Sequence, residues 1–273
     1  MIPGSDVEMA ESEKGTGSGK GRGRVYIVGA GPGDAGLLTL KAFDLITNAE
    51  VVLYDRLVSD EILKMIPDSV KKVFVGRSVG DDYAHQDETN KLMLQHARDG
   101  RKVVRLKGGD PFIFGRGGEE AEFLRENGVE FEIVPGISSA TGSPAYAGIP
   151  LTHRLFSSSV AIVTGHEDPK KGEPAVRWRE LATSTDTIVV LMGMGRLKRI
   201  VDDLAGAGLA KDTDVAIIEN GTTREQKVLL GKLENIVERA KGSDLKPPVV
   251  IVIGRVAGLA QKLDWLGVVK KDA

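Results

Sequence analysis

The chain has 273 residues, with 37 Lys and Arg against 39 Asp and Glu, a formal net charge of −2. That balance argues against a nucleic-acid binder held by a strong basic field, and the absence of cysteine removes disulfides, thiolate nucleophiles, Cys-ligated zinc and iron–sulfur clusters together. Glycine is abundant, 34 residues or roughly 12% against a usual ~7%, with no collagen period, so many glycines mark places where backbone approaches backbone or ligand.

Residues 1–23 hold six glycines and seven charges of mixed sign and lack the apolar stretch of a signal peptide. They read as a disordered tail, and no later apolar run approaches the ~18–20 residues of a membrane span. A cytoplasmic address follows. From Arg24 onward, short β-branched runs alternate with amphipathic stretches. Strands are predicted at 25–28, 51–54, 72–75, 103–106 and 130–134, with helices at 37–48, 60–66, 86–98 and 118–126. Continuous apolar runs, rather than strict alternation, suit strands covered on both faces of a parallel sheet.

A helix of small residues at 138–147, opened by Pro135-Gly136, separates this half from a second α/β series. Strands are predicted there at 160–164, 187–192, 215–219, 228–230 and 249–253, with helices at 196–207, 232–240 and 256–263. The runs around Leu229 and Val249 invite antiparallel pairing. The predicted organisation is a tail to residue 23, an N-terminal α/β domain over 24–137, a C-terminal α/β domain over 138–266 and a short tail over 267–273.

Three loops carry the chemistry. Gly29-Ala30-Gly31-Pro32-Gly33-Asp34 stands where a dinucleotide fingerprint would, with Asp55 near the place of a ribose-binding acid. The spacing fails, however. Counted from Gly29, G-x-G-x-x-G needs glycine at 34. Asp34 there would set a negative charge at the helix N-terminus meant for pyrophosphate, and Pro32 removes an N–H donor. A plain turn between strand and helix stays open as the alternative. The second loop, 107–120, follows a strand and enters a helix, so it lies at a carboxyl end of the sheet, where ligands of open α/β sheets bind. Its five glycines expose backbone, its Phe112, Ile113 and Phe114 offer an apolar wall, and Arg116 and Glu119 stand three apart for pairing. The third runs from Pro135 to Arg154, with two hydroxyls at Ser138 and Ser139. Close packing alone would also explain its small residues. The four histidines, His85, His96, His153 and His166, never fall at helical metal-binding spacing, and no metal is expected. His85 reads as a surface or helix-entry residue.

Taken together and in order, VGAGPGD, YDRLVS, VVRLKGGDPFIFGRGGEEAE, VPGISSA, AYAGIPLTHR, VTGH, MG and ENGT resemble the tetrapyrrole methylase family. Within it, GGDPFIFGRGGEE with GIPLTHR is similar to the uroporphyrinogen-III C-methyltransferases, over about residues 24–266. The resemblance implies two α/β domains, a mostly parallel N-terminal sheet and a mixed C-terminal one, with the active-site trough between them, in a homodimer. It implies transfer of two methyl groups from S-adenosylmethionine, released as S-adenosylhomocysteine, to C2 and C7 of uroporphyrinogen III. The product is precorrin-2, formed by way of precorrin-1, for sirohaem or cobalamin biosynthesis. A sibling methylase acting on a later precorrin is the alternative. Bifunctional relatives carry an N-terminal dehydrogenase–chelatase domain, whereas a short tail precedes the first strand here, so methyl transfer alone is expected. Neither nucleic acid nor membrane is expected as partner.

Carried over residue by residue, the resemblance implies cofactor contacts from Pro32, Gly108, Gly109, Asp110, Ile113, Ser138, Ser139, Met192, Ala216 and Gly221. Asp55 matches the position of the proton acceptor, while Arg116, Glu119 and Arg154 match residues expected to touch tetrapyrrole or assist proton removal. An arginine stays protonated, so binding carboxylates is its easier role. One departure stands out. Where the family commonly has a lysine proton donor after VFVG, this chain has Arg77, a poor general acid. The following loop, 78–85, also departs from the family pattern.

Overall fold

The β-branched runs form strands, as their composition dictates. The computed structural model describes residues 23–76, 84–166 and 176–269, with the backbone alone at 84 and 85. In its first half, β1 (Arg24–Gly29), β2 (Val51–Tyr54), β3 (Lys71–Phe74), β4 (Lys102–Lys107) and β5 (Glu130–Val134) make one sheet. Its order is β3-β2-β4-β1-β5, and every pairing is parallel. Helices α1 (Leu40–Thr47) and α2 (Asp60–Leu63) bury Ala42, Leu45, Ile46 and Ile62 against one face of the sheet. Helices α3 (Ala84–Arg98) and α4 (Gly117–Glu126) bury Met93, Ala97 and Leu124 against the other. Two covered faces explain the unbroken apolar runs of β1 and β2.

Helix α5 (Ser139–Tyr146) leads to the second half. Its sheet takes β6 (Val160–Thr164), β7 (Thr187–Leu191), β8 (Asp214–Glu219), β9 (Lys227–Lys232) and β10 (Val249–Ile253) in the order β6-β7-β10-β8-β9. Only β6 and β7 run parallel; β10 pairs antiparallel to β7 and β8, and β8 to β9. Helices α6 (Trp178–Ser184), α7 (Leu197–Gly206) and α8 (Ile236–Lys241) cover one face, while α5 and α9 (Ala260–Leu263) lie on the other. The chain thus adopts two α/β domains, one with a parallel sheet and one with a mixed sheet.

Several helix boundaries differ from the expectation, and side-chain hydrogen bonds mark two of them, a cap at Thr39 and a turn closed by Asn235. The predicted helix 37–48 is a 3-10 turn over Ala35–Leu37 followed by α1, because Thr39 Oγ1 accepts from Ala42 N at 3.1 Å and starts the helix there. The predicted helix 232–240 begins four residues late, since β9 extends through Lys232 and Asn235 Oδ1 accepts from Lys232 N. The predicted helix 60–66 stops at Leu63, and the one at 256–263 opens as a 3-10 turn. Helix α6 was not anticipated. Val269 pairs with Val228 and packs into the C-terminal core. The tail to residue 22, Arg77, residues 78–83, the side chain of His85 and the last four residues lie outside the described residues.

At the carboxyl ends of β1, β4 and β5, three loops meet backbone to backbone. A Cβ on Gly29 would stand 2.6 Å from Gly109 O, and one on Gly136 would stand 2.8 Å from Gly29 Cα. Gly136→Ala is therefore expected to cost about 1–3 kcal/mol and to lower Tm by several degrees. Gly118→Ala, inside α4 with nothing within 4 Å of the new methyl, is expected to leave Tm unchanged or raise it. Thermal unfolding of the two variants followed by circular dichroism checks both signs.

Candidate active site

The three loops wall a cavity of about 650 Å³ that opens between the two sheets. Gly31 and Gly109 exchange backbone hydrogen bonds, Gly31 N to Gly109 O at 3.1 Å and Gly109 N to Gly31 O at 2.7 Å. The Asp110 carboxylate adds a stitch, accepting from Phe112 N at 2.8 Å with one oxygen and from Gly136 N at 3.1 Å with the other. With both oxygens engaged, Asp110 shapes the loop and leaves backbone to meet a ligand. The C-terminal domain supplies the opposite wall through Met192, Asn220, Gly221, Thr223 and the start of β10. Met192, Asn220 and Thr222 have φ of 55°, 47° and 72°, as unusual for a β-branched threonine as for a methionine. On the near wall Phe114 and Arg116 share that left-handed conformation.

The floor is charged. Arg105 and Lys107 alternate along β4, so both side chains leave the same face of the strand. Both are buried beneath the cavity. Glu120 on α4, fully buried, holds them with one oxygen: Oε1 accepts from Arg105 Nε at 3.0 Å, Lys107 Nζ at 3.0 Å and Gln86 Nε2 at 3.2 Å. Among the described residues its Oε2 has no partner. Arg105 then donates to Asp55 Oδ1 at 2.6 Å, and Lys107 Nζ stands 3.8 Å from Asp55 Oδ2. Burial pushes the Glu120 carboxyl up, but Arg105 and Lys107 outweigh it and hold it below the usual range. Burial likewise pulls Arg105 down, yet Glu120 and Asp55 leave it raised. For Lys107 burial wins: aided by Arg105, it lowers the ammonium below its ordinary value despite Glu120 and Asp55.

A ring of neutral and charged bonds ties the domains beside the cavity. Tyr146 Oη donates to Asp34 Oδ2 at 2.7 Å, and Asp34 N donates to Thr222 Oγ1 at 3.1 Å. Thr222 N donates to Gln226 Oε1 at 2.7 Å, and Gln226 Nε2 returns to Tyr146 O at 3.2 Å. Asp34 is thus engaged in capping and cross-domain bonding.

Of the residues singled out for cofactor contact, Pro32, Gly108, Gly109, Asp110, Ile113, Ser138, Ser139, Met192 and Gly221 all line this one cavity. Ala216 does not; it is fully buried in β8 and packs into the C-terminal core. Asp55 and Arg116 line the cavity as well. Glu119 stands behind Arg116, accepting from its Nε at 3.1 Å, and is not on the wall. Arg154 is exposed on the loop after α5 and is also off the wall. Among the described residues, no group of three or more histidine, aspartate or glutamate side chains stands close enough to hold a metal ion, and no helix is long and apolar enough to cross a membrane.

The sequence profile of the tetrapyrrole (corrin/porphyrin) methylases matches residues 24–237. The chain belongs to that family. This methylase is 51% identical over 235 residues to an S-adenosyl-L-methionine-dependent uroporphyrinogen III methyltransferase of Methanosarcina barkeri, covering 86% of this chain and 92% of that one. It is 49% identical over 243 residues to sirohaem synthase 1 of Aeromonas hydrophila, covering 89% of this chain, and it spans about half of that protein, 52%. Among solved structures, uroporphyrin-III C-methyltransferase of Thermus thermophilus bound to S-adenosylhomocysteine superposes with a TM-score of 0.74 at 41% identity. That match covers 86% of this chain and 99% of the other.

Sequence reasoning on the methylase missed the floor and the ring. One signal was available: two cations spaced by two inside VVRLK, a strand otherwise apolar and buried, demand buried counter-charges. The ring left no such trace, since Tyr146, Thr222 and Gln226 become partners only when the domains fold together. It makes a measurable contribution. The hydrogen bond to Asp34, then burial, push the Tyr146 phenol up from 10.0 to about 12. A raised phenol stabilises the fold fully below pH 10 and loses that contribution as pH rises toward 12. Tyr146→Phe is therefore expected to be less stable than wild type at pH 8, by about 1 kcal/mol, with the gap narrowed by about half at pH 11. Urea unfolding at the two pH values checks it.

Proposed function

We propose that this methylase transfers two methyl groups from S-adenosylmethionine to C2 and C7 of uroporphyrinogen III, giving precorrin-2 by way of precorrin-1 for sirohaem or cobalamin biosynthesis. The observation that supports this reading is the single cavity on which Pro32, Gly108, Gly109, Ile113, Ser138, Ser139, Met192 and Gly221 converge with Asp55 and Arg116. The donor set suits an adenosyl group. Glycine backbone and hydroxyls offer hydrogen bonds, Ile113, Met192 and Val250 offer an apolar surround, and a side chain at Gly108 would collide with Leu57. When bound, S-adenosylmethionine supplies an electrophilic methyl on sulfonium, which needs in-line approach of a carbon nucleophile.

The chain's own residues do the rest. Asp55, fixed by Arg105, presents an oxygen to the cavity that can accept a proton from the pyrrole ring as carbon–carbon bond formation proceeds. Arg56 and Arg116 line the same cavity and match the eight carboxylates of the substrate, a local cationic wall inside a chain of net charge −2. Glu119, by pairing with Arg116, orients its guanidinium toward that wall. In this reading Arg154 meets substrate from outside the cavity, Ala216 acts by backing the wall, and Arg77 binds a propionate in place of a lysine acid. We extend the reading to a cytoplasmic homodimer that uses no metal and binds no nucleic acid.

Anaerobic incubation with uroporphyrinogen III and methyl-labelled S-adenosylmethionine, followed by mass analysis, tests it. Two labelled methyls on the macrocycle are expected. No incorporation into uroporphyrinogen III, with labelling of a later precorrin instead, would transfer the assignment to the sibling reaction. Arg116→Ala is expected to lower kcat/KM by about 10–100-fold, mostly through KM for the tetrapyrrole, with S-adenosylhomocysteine affinity unchanged in calorimetry.

A further inference from the structure

Beneath Asp55 lies a buried assembly with no place yet in the reaction. Glu120 is fully buried, and its Oε1 gathers three donors while its Oε2 has none among the described residues. A fully buried carboxylate with an idle oxygen is a poor choice for stability, because well-packed apolar residues commonly do as well or better there. Its geometry instead serves the group above it. Arg105 reaches Glu120 with Nε and Asp55 with its terminal nitrogen, so one planar guanidinium spans the two carboxylates at 3.0 and 2.6 Å. Lys107 bridges the same pair at 3.0 and 3.8 Å.

We infer, taking Asp55 as the proton acceptor of the reaction above, that Glu120 is a positioning residue: through Arg105 and Lys107 it sets where the Asp55 carboxylate stands and how much positive field it feels. Two cations shared between two carboxylates leave the cluster balanced. Asp55 thus shares the positive charge of Arg105 and Lys107 with Glu120. Among the described residues, the charged groups that pair with Asp55 or share its cavity wall are Arg105 and Lys107 on β4, with Glu120 on α4 behind them, Arg56 on the turn after β2 and Arg116 before α4. Helix α3 turns neutral Gln86 and Thr89 to the same wall.

The sign is open to test. Glu120→Gln keeps the shape and one acceptor oxygen but leaves two cations acting on Asp55 alone. Its carboxylate form is then favoured, and the acidic limb of kcat/KM moves to lower pH, by roughly one unit. Lys107→Met removes one cation, and the limb moves to higher pH. Wild type and both variants are assayed by methyl-label incorporation between pH 5 and 9, so that titration of the substrate's own carboxylates contributes equally to all three. S-adenosylhomocysteine affinity and Tm are measured alongside. Opposite movements, with kcat reduced and cofactor affinity within about 2-fold of wild type, are the expected result. Limbs that stay with wild type, or activity that falls only in step with cofactor affinity and Tm, would reduce Glu120 to a structural ion and overturn the inference. Should Glu120→Gln fail to fold, the direction of the Lys107→Met limb decides alone. A wild type that labels no tetrapyrrole would sink the reading of the reaction, and this role with it; a labelling wild type with unmoved limbs would sink only the role.

Discussion

Everything in the trough depends on a contact between three stretches of bare backbone. Gly29 ends β1, Gly109 and Gly136 stand two residues beyond β4 and β5, and the three pack so closely that a methyl group on the first or last would lie inside its neighbour. Because β1 sits between β4 and β5, the loops that follow are already adjacent. Glycine lets them touch, and the Gly31–Gly109 bonds and the Asp110 stitch then fix their register. A larger residue at this junction would hold the loops apart by an atom's width. Substrate-facing groups on all three would be displaced together, where an ångström decides rates.

The second constraint is electrostatic. A chain of net charge −2 segregates its charge around the cavity. The cavity wall carries exposed or half-exposed arginines, where water and ligand compete for them. The floor carries a balanced quartet in which Arg105, Lys107 and Glu120 are buried and Asp55 stands partly open to the cavity. Removing one of the three buried members leaves an uncompensated buried charge, with a penalty of several kcal/mol. Stability therefore rests on the floor far more than on the wall.

The fold was legible wherever local preference and burial agreed. Among the described residues, each of the ten predicted strands overlaps an observed one, and β1 and β2 announced the parallel sheet by apolar runs with no polar alternation. Helix starts were less legible, because Thr39 and Asn235 decide them through single hydrogen bonds that periodicity does not register. Helix α6 has only a short apolar face around Trp178 and Leu181 and owes its existence to packing. At the site, the glycine loops betrayed themselves by composition, and the resemblance named side chains that the fold gathers on one cavity. Arg105, Lys107 and Glu120 escaped notice since charge in a sequence reads as surface until a fold closes over it. Arg154 and Ala216 lie off the cavity, one in solvent and one in the core, a distinction no motif encodes.

The left-handed residues of the cavity wall set backbone ease against side-chain presence. Met192 and Asn220 follow the last residues of β7 and β8 directly, and each turns the chain in a conformation that glycine would adopt without strain. Glycine at either place would relax the turn and, in the same stroke, strip a side chain from the cavity wall. The wall is thus built where the backbone bends least willingly.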